Sequence, residues 1–317
     1  MIQAWAVQNQ RLCPIAPDSD QAVWWDLLAP APEEILEIEA CFGLSLPTRE
    51  EMMEIEATSR LYSENGGHFM TVLVPSQTDG DDMLNAPVTF IVIGHRLITL
   101  RYSEPRAFHV FPLRATRADI GLNGGLSIML ELSETIIDRL ADVLERVEQE
   151  TDRISKQVLS PVRKGSRSEA EWRTVLAAIG SKGGITSKIR GCLMTFERML
   201  AYLMARLTSE TRREIREQLK ALAADVRSLT DQAEFKKVTF LLDATLGMIN
   251  IEQNATIKIF SVVSVVFLPP TLVASIYGMN FDFIPELGWH IGYPFALAVM
   301  ILSAMLPYLY FKRRGWL

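Results

Sequence analysis

The chain has 317 residues, a formal net charge of −6 and 49 % hydrophobic residues. That length holds about two domains, and an acidic balance whose densest basic piece is RKGSR at 163–167 argues against a nucleic-acid platform. Three scattered cysteines (Cys13, Cys41, Cys192) and four histidines (His68, His95, His109, His290) show neither C-x-x-C nor HExxH spacing, which speaks against a zinc or thiol-based centre.

The first 115 residues or so mix α and β signals. MIQAWAVQ and AVWWDLL read as short strands, and HFMTVLVP reads as another after the turn Asn65-Gly66-Gly67. VTFIVIGHRLITLRY has the pattern of a hairpin turning at Gly94-His95. PAPEEILEIEACFGL, with prolines ahead and Gly43 behind, predicts a helix. So does PTREEMMEIEA, where Thr48 and Glu51 stand at capping-box spacing. No GxGxxG or GxxxxGK[ST] phosphate loop is present. The start, MIQAWAVQNQRL, lacks a positive leader followed by an apolar core, so the amino-terminal part is expected to stay in the cytosol.

From Gly124 the texture becomes helical. GGLSIMLELSETIIDRLADVLERVEQETDRISKQVL predicts one long helix ending at Ser160-Pro161, before a basic loop. A second helix is predicted over 168–206, with Gly180, Gly183 and Gly184 loosening its middle. A third segment opens at Thr208-Ser209-Glu210 and meets no proline until Pro269. Continuous to Tyr277 it would measure ~100 Å at 1.5 Å per residue, unless it breaks near 228–231. A helix of that length is a stalk running towards a membrane, not the core of a globule.

Residues 259–281 and 287–311 carry no Asp, Glu, Lys or Arg. Each stretch exceeds the ~20 residues that span the hydrocarbon of a bilayer. Lys258 and Lys312-Arg313-Arg314 flank the pair, whereas the turn between carries only Asp282 and Glu286. The positive-inside rule therefore puts both chain ends in the cytosol and the turn outside. The expected fold is an α+β cytosolic domain (1–123), long stalk helices (124–258), a first transmembrane helix (259–281), an outer turn (282–286), a second transmembrane helix (287–311) and a basic cytosolic tail (312–317).

The first span has a pattern of its own. Asn254, Ser261, Leu268 and Ser275 recur at intervals of seven, as do Ile257, Ser264, Thr271 and Gly278. Period 3.5 is the geometry of helices packed side by side around an axis. Such Ser and Thr residues can simply glue helices together in lipid. Alternatively they line a watery pore, in which Ile257 and Leu268 form apolar rings able to close it by dewetting. The second span, polar in its middle only at Ser303, suits an outer, lipid-facing position. One two-span chain cannot enclose a pore, so the pore reading requires a symmetric homo-oligomer. Repeated around a ring, Asp282 and Glu286 form a negative collar that concentrates cations. Asn280 either caps the helix end or offers a ring of amide oxygens to a strongly hydrated ion such as Mg²⁺.

Tyr277-Gly278-Met279-Asn280, Pro285-Glu286-Leu287, the tail FKRRGWL and the stretch INIEQN ahead of IKIFSVVSVVFLPPTLVAS resemble the CorA magnesium transporter family, of the proteobacterial type, and the likeness extends over nearly the whole chain. The resemblance implies a homopentameric funnel in the bacterial inner membrane. It implies that the first span lines the pore, with Gly278, Met279 and Asn280 as the outer selectivity filter. It also implies passive influx of Mg²⁺, with Co²⁺ and Ni²⁺ carried too, and Mg²⁺ bound between neighbouring cytosolic domains as the closing signal. By position Asp243 is similar to one gating carboxylate of the family and Asp225 to another; otherwise both are solvated helix-face acids. Mg²⁺ is thus substrate and regulatory ligand, identical subunits and membrane lipid are the partners, and no enzymatic activity is expected. The alternatives are a zinc or other transition-metal transporter with a related turn and a membrane-anchored scaffold or sensor. The scarcity of His and Cys ligands speaks against the first. The period-seven stripe speaks against the second, because an anchor needs none.

Overall fold

The computed structural model describes residues 1–54, 56, 60–78, 83–159, 169–206, 212–233, 236–279 and 288–314. It divides into two compact units, Met1–Ser160 with Arg173–Leu241, and Pro161–Trp172 with Leu242–Leu317.

In the first unit a seven-stranded sheet is built from β1 (Ile2–Gln8), β2 (Arg11–Ile15), β3 (Trp24–Leu28), β4 (Leu61–Glu64), β5 (Gly67–Gln77), β6 (Leu84–Ile93) and β7 (Arg96–Arg101). The strand order is β2-β1-β3-β7-β6-β5-β4, antiparallel throughout except where β3 runs parallel to β7. The β6–β7 hairpin turns at Gly94, whose φ of 56° lies in the left-handed region that glycine adopts without strain. Neighbouring residues alternate between two cores, as a period of two requires. Met70, Phe90 and Leu97 join one core, and Phe69, Ile91 and Ile98 join the other.

The smaller core is covered by α1 (Pro32–Phe42) and α2 (Arg49–Met53). At the start of α2 the Thr48 amide donates to Glu51 Oε2 at 2.8 Å, and the Glu51 amide donates to Thr48 Oγ1 at 3.2 Å. Both bonds of the capping box are made. The helix is shorter than its periodicity predicts, because the chain turns to an extended conformation at Glu54 (φ −58°, ψ 143°).

The larger core is covered by α3 (Ala107–Arg117), α4 (Gly125–Leu159), α5 (Glu169–Met204) and α6 (Arg213–Gln232). α4 starts hard against the sheet: a Cβ on Gly125 would lie 2.6 Å from the Leu97 amide nitrogen. Contrary to expectation, α5 runs unbroken through Gly180, Gly183 and Gly184. Val175, Ile179, Ile185 and Ile189 are buried along one face and hold the helix across its glycines. The stalk segment is helical through 228–231, where the sequence leaves room for a break, and residues 234–235 lie outside the described residues. α6 stops at Ala233, whose amide donates to the Leu229 carbonyl at 2.8 Å, and α7 (Lys236–Tyr277) follows. Strands β2 and β4 and helix α3 were not among the predicted elements; Pro14 and Pro112 mask the local pattern of β2 and α3.

The second unit contains most of α7 and all of α8 (Gly292–Arg313). Among the described residues these are the helices long and apolar enough to cross a bilayer. Their large side chains lie open, with Phe267 65 %, Leu268 66 % and Ile301 65 % exposed. Apolar surface of that extent is suited to lipid or a packed bundle, not to water. α7 continues through Pro269 and Pro270 and ends at Tyr277; α8 begins five residues beyond the predicted start of the second span.

Candidate ion pathway

The expected pore residues share one open face of α7. Asn254, Ile257, Ser261, Ser264, Leu268, Thr271 and Ser275 are all exposed, whereas Val262 is buried. Ser264, Leu268, Thr271 and Ser275 line a single concavity of about 510 Å³ with Phe267 and Leu272. The last two are indistinguishable in sequence from lipid-facing residues; only their i+3 and i+4 relation to Ser264 and Leu268 marks them.

The polar groups of this face are tethered to the helix. Ser264 Oγ donates to the Phe260 carbonyl at 2.9 Å, and Thr271 Oγ1 donates to the Phe267 carbonyl at 2.8 Å. Each hydroxyl oxygen is then left with lone pairs for a water or a hydrated cation. Leu268 interrupts the polar run between them.

At the carboxyl end of α7 the Gly278 amide donates to the Ala274 carbonyl at 3.0 Å and the Met279 amide to the Ile276 carbonyl at 3.3 Å. The helix dipole places partial negative charge at this end, which favours a cation. Gly278 leaves little room: a Cβ there would sit 3.1 Å from the Ala274 carbonyl oxygen. Asn280, Asp282 and Glu286 lie outside the described residues.

The two regulatory candidates fall on exposed helix faces, Asp225 on α6 and Asp243 on α7. Asp225 has company that the reading of the sequence overlooked. Glu131, Glu134, Asp138 and Asp142 follow one another on α4 at intervals of three, four and four, the spacing of one helix face. Burial pushes the Asp138 carboxyl above its ordinary range; Arg114 opposes this, while the charges of Asp142 and Asp225 add to it. Glu131 is pushed up as well, by burial first and then by Glu134, against a hydrogen bond from Gln218 and the charge of Arg114. Among the described residues, no three His, Cys, Asp or Glu side chains converge to hold a metal ion within one chain.

An α/β unit with long helices, followed by two apolar helices of which the first carries an open polar face, defines a membrane protein built for passage of an ion. The sequence profile of the CorA-like Mg²⁺ transporter proteins matches residues 19–313, and the chain belongs to that family. It is 40 % identical to the magnesium transport protein CorA of Escherichia coli K12 over 325 residues, covering both chains in full. It is likewise 40 % identical to that of Yersinia pseudotuberculosis over 326 residues, again with both chains covered in full. Its fold is similar to the complete structure of the CorA magnesium transporter from Methanocaldococcus jannaschii, with a TM-score of 0.82 at 19 % identity over 100 % of this chain and 99 % of the other.

Proposed function

We propose that the chain mediates passive Mg²⁺ influx across the bacterial inner membrane, as a homopentameric funnel with the open face of α7 turned to the central axis. The observation that carries this reading is the full-length likeness to magnesium transport proteins, combined with Gly278-Met279-Asn280 at the end of the polar stripe. Chain ends lie in the cytosol and the 282–286 turn outside, where Asp282 and Glu286 gather cations. Gly278, Met279 and Asn280 select the hydrated ion at the mouth. Asn254, Ile257, Ser261, Ser264, Leu268, Thr271 and Ser275 line the path inward. Co²⁺ and Ni²⁺ share this path, being divalent ions that also bind oxygen donors.

The driving force needs no chemistry. A doubly charged ion crossing into a cell at −100 mV gains ~4.6 kcal/mol, twice the value per unit charge. Closure by internal Mg²⁺ follows from the acids. Carboxylates around Asp225 and at Asp243 repel across a subunit boundary when bare, and a Mg²⁺ ion between subunits reverses the sign. Loss of the ion then shifts the population towards the open ring.

The test is Mg²⁺ influx into liposomes holding the purified protein, read by an internal dye under an inside-negative potential. Wild type should conduct at a rate that grows with potential, and Asn280→Ala should abolish the flux while the assembly stays folded. Absence of flux in the wild type, with the liposome interior free of Mg²⁺, would overturn the reading; Zn²⁺ in place of Mg²⁺ then tests the transition-metal alternative.

A further inference from the structure

A second feature lies wholly within the first unit and owes nothing to the ion pathway. A cavity of about 560 Å³ opens between the β6–β7 turn, the amino end of α4 and the carboxyl end of α5. Its size is that of a small-molecule site. Its charge is unexpected in a chain of net charge −6: Arg206 and Arg212 line it together with the imidazoles of His68 and His95, and its described lining contains no carboxylate. Among the described residues neither arginine has a carboxylate partner.

Each wall supplies donors. The Arg206 guanidinium lies 3.5 Å from the centroid of the Tyr202 ring, which holds its plane in place. Tyr202 is itself fixed, its hydroxyl 2.6 Å from Ser63 Oγ, which in turn lies 2.8 Å from His68 Nδ1. α4 contributes its amino end. The Gly125 amide donates to the His95 carbonyl at 2.6 Å and the Ile128 amide to the Gly124 carbonyl at 3.1 Å. The amides of Leu126 and Ser127, between them, have no acceptor among the described residues. Ser127 Oγ accepts from the Asn123 amide at 2.8 Å and donates to the Gly124 carbonyl at 2.8 Å. Gly66, Gly94, Gly124 and Gly125 complete the lining. Burial first, and then the neighbouring Arg206, disfavour protonation of His68, so the imidazole stands in the wall as a neutral hydrogen-bonding group and the positive charge comes from the arginines.

We propose that this cavity binds a small soluble anion bearing phosphate groups. Two guanidinium forks and free amides at a helix amino end match an anion that offers several oxygens in different directions. A single phosphate fills only part of the volume, so a diphosphate, or a phosphate carrying an organic body against Val92, Leu126, Leu203 and Ile215, fits better.

Calorimetric titration of the full-length protein in detergent micelles, in Mg²⁺-free buffer, tests this with sodium pyrophosphate as the probe. Saturable binding is expected, weaker by at least about tenfold in the double variant Arg206→Gln/Arg212→Gln and by a few fold in Arg212→Gln. The exposed Arg212 makes the single variant safe for folding, which a thermal melt would verify. Arg213→Gln is the control, because Arg213 pairs with Glu217 at 2.7 Å outside the cavity, and it should bind as the wild type does. Inorganic phosphate should bind more weakly than pyrophosphate, and short-chain phosphatidic acid should fail to displace it. Absence of pyrophosphate binding, equal weakening by Arg213→Gln, or no change in the Arg206 and Arg212 variants would overturn the site. Displacement by the lipid would overturn the soluble-anion assignment. None of these results depends on whether the pore carries Mg²⁺.

Discussion

Asp225 on α6 lies close enough to Asp138 on α4 for its charge to hinder ionisation of Asp138. Burial is the main cause that raises the Asp138 carboxyl above its ordinary value of 3.8, against the pull of Arg114, and the charges of Asp142 and then Asp225 add to it. The sign for stability follows. A folded carboxyl that holds its proton more tightly than the unfolded one contributes stability below its unfolded pKa. That contribution is lost as pH rises through the folded value. At neutral pH the bare acids therefore oppose the fold, and removing one relieves the strain. In Mg²⁺-free buffer Asp225→Asn should raise Tm by roughly 1–2 °C, the scale of one surface charge interaction. The same variant should gain less Tm than the wild type when millimolar Mg²⁺ is added. Equal gains in both proteins would remove Asp225 from the regulatory site.

Within the sheet, Asp26 and Arg101 form a buried pair on the adjacent strands β3 and β7. Arg101 Nη2 donates to Asp26 Oδ2 at 2.6 Å, and Nε donates to Oδ1 at 3.0 Å. Thr99 Oγ1 donates to Asp26 Oδ1 at 2.7 Å and accepts from Trp24 Nε1 at 3.0 Å. Asp26→Ala strands a buried guanidinium and should cost about 3–5 kcal/mol. Replacing both partners with apolar residues, Asp26→Leu with Arg101→Met, should recover most of that loss in a denaturant titration. A single variant as stable as the wild type would mean that the pair contributes nothing to the first unit.

These two sites show what a linear reading reaches. The Thr48–Glu51 box, the Gly94 hairpin and the heptad stripe on α7 are legible because each is set by residues a few positions apart. The acidic face of α4 has the same local spacing and could be read in the same way. Asp26 with Arg101 could not, since the partners are 75 residues apart and meet only because β3 pairs in parallel with β7. The cationic cavity is hidden for the same reason: His68, Ser127 and Arg206 come from three distant segments. The glycines of α5 mislead, because their helix propensity is overruled by a buried face.

Gly278 tests the mouth. An added Cβ would stand 3.1 Å from the Ala274 carbonyl oxygen, so that oxygen or the helix end must shift by a few tenths of an ångström. Gly278→Ala should leave Tm nearly unchanged, because the site is exposed, yet reduce Mg²⁺ influx at least about tenfold, as small displacements at a positioning site do. Full flux in this variant would mean that the end of α7 does not set the selective site.

Leu268 separates the pore from the lipid-glue reading of the stripe. On an axis-facing α7, its copies form an apolar ring between the Ser264 and Thr271 hydroxyls, and a narrow apolar ring excludes water when the assembly is closed. Leu268→Asn wets that ring. Liposomes loaded with enough Mg²⁺ to close the wild type should then still admit external Mg²⁺, reported by a radioactive tracer of the ion. Asp243→Asn should also conduct under these conditions, but for a different reason, since it weakens the closing ligand and leaves the ring apolar. Higher internal Mg²⁺ should close Asp243→Asn and fail to close Leu268→Asn. If Leu268 instead faces lipid, the added amide lowers the thermal stability of the assembly and the flux keeps its wild-type dependence on internal Mg²⁺, which would place the pore on another face of α7.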